Sequence, residues 1–222
     1  STILPEFREF ERLSTTVINS YLGPRMKMYI HNLQERIREI GVKVEPYITQ
    51  SNGGVMSISS TIQTPVQTAL SGPSAGVMGA IYVAKAAGFQ DIITYDMGGT
   101  STDVSLVKGG IAEYTTKRKV CGLPSGVPMI DVHAVGAGGG SIAHIDNAGA
   151  LKVGPESAGA NPGPVAYNLG NQQPVVTDAN LVLGRINPHY VIGGRLKIDA
   201  QLSRAAMKKH IEDPMGLSVE AA

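Results

Sequence analysis

Eight residues, Asp96-Met97-Gly98-Gly99-Thr100-Ser101-Thr102-Asp103, set the tightest limit on how this chain can fold. They join two strand-like runs, Asp91–Tyr95 and Val104–Lys108, so the chain is expected to double back here as a hairpin. Paired glycines let a backbone turn sharply and approach a ligand without Cβ interference. The amides freed in such a turn can converge on an anion and make a phosphate nest. Thr100, Ser101 and Thr102 add hydroxyl donors, and Asp96 and Asp103 are hard oxygen donors of the kind Mg²⁺ takes beside phosphates. Two readings stand side by side: a turn that only turns, and a cradle for phosphate.

A chain of 222 residues can bury a real core and makes one large domain or two small ones. With 42% hydrophobic and 17% charged residues the composition is globular. A net charge of +1 gives no field that would select nucleic acid or an anionic membrane as partner. The run Lys117-Arg118-Lys119 reads as a solvated loop or strand end. A single cysteine, Cys121, excludes an intrachain disulfide and fits a reducing, cytoplasmic compartment. With no His or Asp beside it in sequence, Cys121 reads as a buried or half-buried apolar thiol. No run approaches the roughly 18 apolar residues that span a bilayer, and no signal peptide opens the chain. The first residue is Ser1, and Leu217–Ala222 reads as a helix start with Ser218 as N-cap; both suggest a piece of a longer polypeptide.

Residues 1–43 read as a helical segment and 44–222 as an α/β lobe. Phe7, Phe10, Leu13, Val17 and Ile18 recur on one side of a helix from Pro5 to Tyr21, which Gly23-Pro24 breaks. A second helix from Arg25 to Ile40 uses Met26, Tyr29, Ile30, Leu33, Ile37 and Ile40, with His31 on its polar face. Strands are predicted at Val44–Gln50, Val66–Leu70, Met129–Val135 and Ile142–Asp146. Ser71–Ser74 opens a helix over Ala75–Ala87, whose N-terminus is either an anion site or simply capped by Ser71 or Ser74. Gly154 to Pro164 holds too many glycines and prolines for regular structure. Thr177 or Asp178 caps a short helix, and Asp199 caps one over Ala200–Ile211.

A second glycine cluster, Gly136-Ala137-Gly138-Gly139-Gly140-Ser141, follows a predicted strand. It fails the dinucleotide fingerprint because its sixth position is Ser141 and strand-like residues follow. Its glycines serve either close approach to a flat or anionic ligand, or a strained packing turn. Asp131 and His133, two apart on a predicted strand, share a face and can bind a divalent metal, act as an oriented acid–base pair, or merely satisfy each other. His144 and Asp146 repeat that spacing around a turn, while His189 and His210 lack acidic or glycine-rich neighbours. Glu156 is a loop carboxylate that can be a base or simply solvated. No Walker-type P-loop, G-x-S-x-G elbow or H-E-x-x-H is present.

The segment Tyr95–Val104 resembles the second phosphate motif of the hydantoinase A/5-oxoprolinase family, which includes N-methylhydantoinase A and ATP-dependent ketone carboxylase subunits. Gln50–Gly54, Leu70–Gly76, Gly136–Ala143, Val153–Pro164 and Val176–Arg185 also fit, in the family's order, as does Asp131-x-His133 before the glycine cluster. The resemblance implies an actin-like ATPase (ribonuclease H-like) lobe, α/β with a mixed sheet and flanking helices, shared with sugar kinases and heat-shock ATPases. It implies that ATP phosphorylates an unreactive carbonyl or enolate oxygen of a cyclic amide or ketone. On that reading Gly98, Gly99 and Thr100 hold phosphates, Gly138, Gly139 and Gly140 lie against the nucleotide, and Asp96 and Asp103 orient Mg²⁺. Asp131 and His133 bind metal or handle protons near the substrate. A hydantoinase B-like subunit or domain is the implied partner. The family's first phosphate motif has no match in residues 1–90, so the chain alone is expected to be inactive and to bind ATP poorly. The alternative is a non-catalytic ATPase-fold module that senses nucleotide or scaffolds a subunit.

Overall fold

Pro24 does not end the first helix. In place of the two helices that the sequence pattern predicts, a single helix, α1, runs Glu9–Glu39 with Pro24 inside it. An interior proline removes a hydrogen bond and costs about 3 kcal/mol. Anchors on both sides offset this. Ile18 and Ile30 are buried, and the Asn19 amide donates to the Gln63 carbonyl (3.1 Å) and accepts from Val66 N–H (3.2 Å). The buried face is also not the predicted one. Phe7, Phe10, Leu13 and Val17 are exposed, as are Tyr29 and Ile40, whereas Ser14 and Thr15 point inward. Small hydroxyls let the helix approach another backbone closely. Ser14 Oγ donates to the Pro124 carbonyl (2.7 Å), and Gly126 N–H donates to Thr15 Oγ1 (3.0 Å).

The computed structural model describes residues 2–189, 191, 196–218 and 221. The predicted helix start at the end of the chain falls partly on Val219, Glu220 and Ala222, outside the described residues. The chain divides into two compact units, Ser1–Thr94 with Val104–His133, and Tyr95–Asp103 with Ala134–Ala222. It therefore passes between them after Thr94, after Asp103 and after His133.

In the first unit the predicted strand Val44–Gln50 shrinks to β1 (Ile48–Thr49), paired antiparallel with β2 (Val55–Met56). Gly53 at φ +80° makes the turn, and a Cβ there would lie 2.6 Å from Met78 Cγ. Ser57 caps α2 (Ile58–Gln63). The strand predicted at Val66–Leu70 is instead a 3₁₀ turn, Pro65–Thr68, started by a proline whose fixed φ suits a first helical position. α3 spans Ser71–Ala86, starting four residues earlier than expected. Neither Ser71 nor Ser74 caps it: the Ser74 hydroxyl donates back to the Leu70 carbonyl and across to that of Ser51.

The predicted hairpin is present as β3 (Ile92–Met97) and β4 (Thr102–Lys108). β5 (Ile111–Ala112) continues from β4 in antiparallel register. β6 (Tyr114–Thr115), β7 (Arg118–Val120), β8 (Leu123–Ser125) and β9 (Met129–Ile130) follow, pairing β6 with β9 and β7 with β8. Cys121 and Gly122, both at positive φ, form the β7–β8 turn, so Cys121 is exposed and not a buried thiol. Positive φ at both centre positions matches the twist of a tight hairpin and turns the side chain outward. The strand predicted at Met129–Val135 is split at Asp131-Val132, and its second part is β10 (His133–Val135). A four-stranded sheet has the order β10–β4–β3, with β5 also on β4. Val77, Val107, Ala112, Ile130 and Val132 form one apolar cluster of this unit; Ile18, Val66, Val127 and Met129 form another.

The second unit carries the hairpin β11 (Ser141–Ile145) and β12 (Leu151–Ser157). β12 includes Gly154-Pro155-Glu156, so only the later part of the predicted irregular loop is irregular. α4 (Val176–Val182) and α5 (Ala200–Met207) flank the hairpin, and Asp199 caps α5 as predicted. After α5 the helix widens to a π turn, Lys208–Glu212. Met207 and Ile211 pack with Ala143, Ala179 and Val182. The fold class is thus α/β with sheets and flanking helices, consistent with an actin-like ATPase lobe. No described helix is long and apolar enough to cross a membrane.

Candidate functional site

The Gly98–Ser101 turn belongs to the second unit and is closed by Gly98 N–H donating to the Ser101 carbonyl (2.8 Å). Gly98, Gly99 and Thr100 are exposed, Ser101 is half-buried, and an added Cβ at Gly99 would meet nothing within 4 Å. The carbonyls of Gly98 and Gly99 accept from the amides of Gly139 (2.9 Å) and Gly140 (2.6 Å). The amides of Gly99, Thr100 and Ser101 have no partner among the described residues. Acceptors tied inward and donors left unpaired at an accessible turn are what an anion-binding backbone requires.

The second glycine cluster explains how the carbonyls are held. Gly138 and Gly140 are buried. A Cβ on Gly138 would fall 2.8 Å from Ser101 N and Thr100 C, and one on Gly140 would fall 2.9 Å from the Gly99 carbonyl oxygen. These glycines admit the backbone of the first turn. A tight turn fixes them from behind: Gly138 N–H donates to Ser141 Oγ (2.8 Å) and Ser141 N–H to the Gly138 carbonyl (3.0 Å). The buried Thr102 hydroxyl donates to the Ala137 carbonyl in a very short contact. The Gly139 carbonyl in turn accepts from both N–H and Oγ1 of Thr177, each at 2.8 Å.

Asp96 on β3 is exposed and Asp103 on β4 is half-buried, one on each side of the turn. Among the described residues no group of three or more His, Cys, Asp or Glu side chains could hold a metal. Mg²⁺ bound beside phosphates needs only one or two carboxylates, with water and phosphate oxygens completing its octahedron. The donor chemistry of Asp96 and Asp103 therefore suits it.

Asp131 and His133 belong to the first unit. Although the strand is broken between them, their side chains meet, with His133 Nε2 3.2 Å from Asp131 Oδ2. Asp131 Oδ1 also pairs with Arg118 Nη2 at 3.2 Å. The backbone of Asp131 is pinned on both sides: its N–H donates to the Glu113 carbonyl and its carbonyl accepts from Ser105 Oγ, each at 2.8 Å. Arg118 is thus a half-buried partner of a carboxylate, while its neighbours Lys117 and Lys119 are the solvated residues of the run. The period-two alternation of β7, which sends Arg118 inward beside exposed Lys119, is the signal that would have revealed it. His133 is 75% exposed at its side chain, so a ring whose one nitrogen faces Asp131 presents the other to solvent.

Other candidates fall elsewhere. Asp178 faces no opening: it is fully buried and accepts four hydrogen bonds. Glu156, His144 and His189 are exposed, and Asp146 accepts from Ala148 and Ala150 N–H in its own turn. His210 lies in the π turn, with Nε2 buried and without a hydrogen-bond partner among the described residues.

Residues 12–222 match the family described as Hydantoinase/oxoprolinase. Caprolactamase subunit alpha of Pseudomonas jessenii is 43% identical over 220 residues, 99% of this chain and 32% of that protein. The acetophenone carboxylase gamma subunit of Aromatoleum aromaticum is 37% identical over 224 residues, 100% of this chain and 30% of that protein. A nucleotide-free structure of acetone carboxylase, from work on ATP-dependent acetone carboxylation, superposes with a TM-score of 0.78 at 32% identity, covering 99% of this chain and 31% of that one. The chain spans about a third of the length of each of these three relatives.

Proposed function

Because the chain belongs to the hydantoinase/oxoprolinase family, we propose that it supplies the phosphate-holding part of an ATP-dependent enzyme that activates the oxygen of a cyclic amide or ketone. The observation that carries this is the Gly98–Ser101 turn, with both glycine carbonyls tied to Gly139 and Gly140 and the next three amides unpaired. In phosphoryl transfer the protein mainly positions the reactants and stabilises charge on the phosphate oxygens. Backbone donors at Gly99, Thr100 and Ser101 suit that task. Asp96 and Asp103 would hold Mg²⁺, which when bound neutralises phosphate charge.

The substrate's carbonyl or enolate oxygen attacks the γ-phosphorus, the bond to the β-phosphate oxygen breaks, and ADP leaves. For a cyclic amide, water then adds to the activated carbon, the ring C–N bond breaks with its nitrogen taking a proton, and a second water cleaves the resulting acyl phosphate to carboxylate and phosphate. For a ketone, water takes the phosphoryl group from the enol phosphate as phosphate, and the α-carbon of the enolate so released bonds to carbon dioxide, giving a β-keto carboxylate. Asp131 and His133 are assigned to proton transfer at the substrate. Arg118 already compensates Asp131, which leaves the carboxylate better suited to orient an imidazole than to ligate a cation. The likeness to caprolactamase supports the amide branch, and that to acetone carboxylase the ketone branch. A hydantoinase B-like subunit or domain is the proposed partner, and a reducing cytoplasm, favoured by the single cysteine, the proposed setting.

The test is phosphate release by the complete enzyme. Release from ATP should require a lactam, hydantoin, 5-oxoproline or ketone, and His133→Asn should abolish it without unfolding the protein. Nucleotide binding without turnover on any of these substrates would favour the sensing or scaffolding module instead.

A further inference from the structure

The least exposed carboxylate of the second unit leads to its glycine turns. Asp178 is 0% exposed. Its Oδ2 accepts from Val165 N–H (3.0 Å) and Val175 N–H (3.1 Å), and its Oδ1 from Ala166 N–H (3.0 Å) and Ser203 Oγ (2.6 Å). One side chain thereby locks the first turn of α4 to the 3₁₀ turn Val165–Tyr167 and to α5. Four donors satisfy the lone pairs of a buried carboxylate, and such fully satisfied networks are rigid.

The residue before it carries that rigidity onward. Thr177 gives both its donors, N–H and Oγ1, to the single carbonyl of Gly139. A Cβ on Gly139 would fall 2.7 Å from Thr177 Oγ1, so the glycine and the threonine are fitted to one another. The amides of Gly139 and Gly140 then hold the carbonyls of Gly98 and Gly99. Hydrogen bonds join Ser203 to Asp178, the backbone of α4 joins Asp178 to Thr177, and hydrogen bonds resume from Thr177 through Gly139 to Gly98. All of these residues lie in one compact unit.

We infer that Thr177 is a positioning residue for the nucleotide, with Asp178 as its buttress. Both donors of Thr177 are spent on the Gly139 carbonyl, so it acts through the turns. It fixes Gly139 and Gly140, which fix the carbonyls of the outer turn and so set where the amides of Gly99, Thr100 and Ser101 point. This inference rests on the reading that those amides hold phosphate.

The test compares Thr177→Val with Thr177→Ser in the complete enzyme. Valine keeps the shape, removes one donor and sets a methyl against the Gly139 carbonyl; serine keeps the hydroxyl. Losing one net hydrogen bond corresponds to roughly a 5-fold change. Thr177→Val should raise the KM for ATP about 5- to 10-fold with kcat within about two-fold, and Thr177→Ser should return it to near wild type. In the same variants, hydrogen exchange at the amides of Gly139 and Gly140 should quicken with valine and recover with serine. Asp178→Asn should act in the same direction as valine, provided that it folds. A wild type that requires ATP beside a Thr177→Val enzyme unchanged in KM and exchange overturns the inference alone. A wild type whose turnover ignores ATP overturns the phosphate reading and the inference with it.

Discussion

The two glycine clusters, Gly98-Gly99 and Gly138-Gly139-Gly140, look alike in sequence and do opposite things in the structure. The first sits on an exposed turn where added side chains would meet little: nothing within 4 Å at Gly99, and one carbonyl at 3.3 Å from Gly98. The second is largely buried, and any side chain there would strike backbone or hydroxyl atoms under 3.0 Å away. Glycine density reports close approach but does not say what approaches. At the inner cluster it is the outer turn itself. At Gly99 of the outer cluster no described residue comes within 4 Å of an added Cβ, which is why the phosphate belongs there in the proposed function.

Graded substitutions can break this contrast. Gly138→Ala should do most harm, because its methyl meets the backbone of Thr100 and Ser101, which cannot swing aside. A loss of about 1–3 kcal/mol in urea unfolding is expected. Gly139→Ala should cost less, on the order of 1 kcal/mol, because its nearest contact is the Thr177 hydroxyl and the cost is one displaced hydrogen bond. Gly99→Ala should leave stability within about 0.5 kcal/mol of wild type, yet raise the KM for ATP where a methyl intrudes on the phosphates. Equal destabilisation by Gly99→Ala and Gly138→Ala would mean that the outer turn is packed and not open. The smallest stability effect belongs to His133→Asn. Its side chain is 75% exposed, so melting should shift little while turnover falls if the imidazole moves protons.

Much of the chain was legible where a local rule acted alone. The β3–β4 hairpin and α5 behind Asp199 both follow from turn and cap chemistry. The misreadings of α1 share a cause: tertiary contacts that no local pattern records. Pro24 stays helical because Asn19, Ile18 and Ile30 hold the helix on both sides. The aromatic side of α1 faces outward because Ser14 and Thr15 seek backbone partners at Pro124 and Gly126, more than a hundred residues away. For the candidate site, the sequence pointed to both glycine clusters and to Asp131 beside His133. It hid Arg118 in a run of like charges, and it offered Thr177 and Asp178 only as caps. Their roles arise from carbonyls and amides brought in by other elements, which a one-dimensional pattern cannot encode.

The three passages of the chain between its units carry a consequence for how such a protein can be cut and shuffled. The nine residues from Tyr95 to Asp103 are encoded in the midst of the other unit's sequence. A single breakpoint at His133 would deliver the inner glycine loop and α4 without the outer turn they clasp, and a breakpoint before Tyr95 carries that assembly whole only by taking Val104–His133 of the other unit with it. Recombination that preserves it must carry part of the other unit along, so diversification is expected to come from point changes and from appended modules.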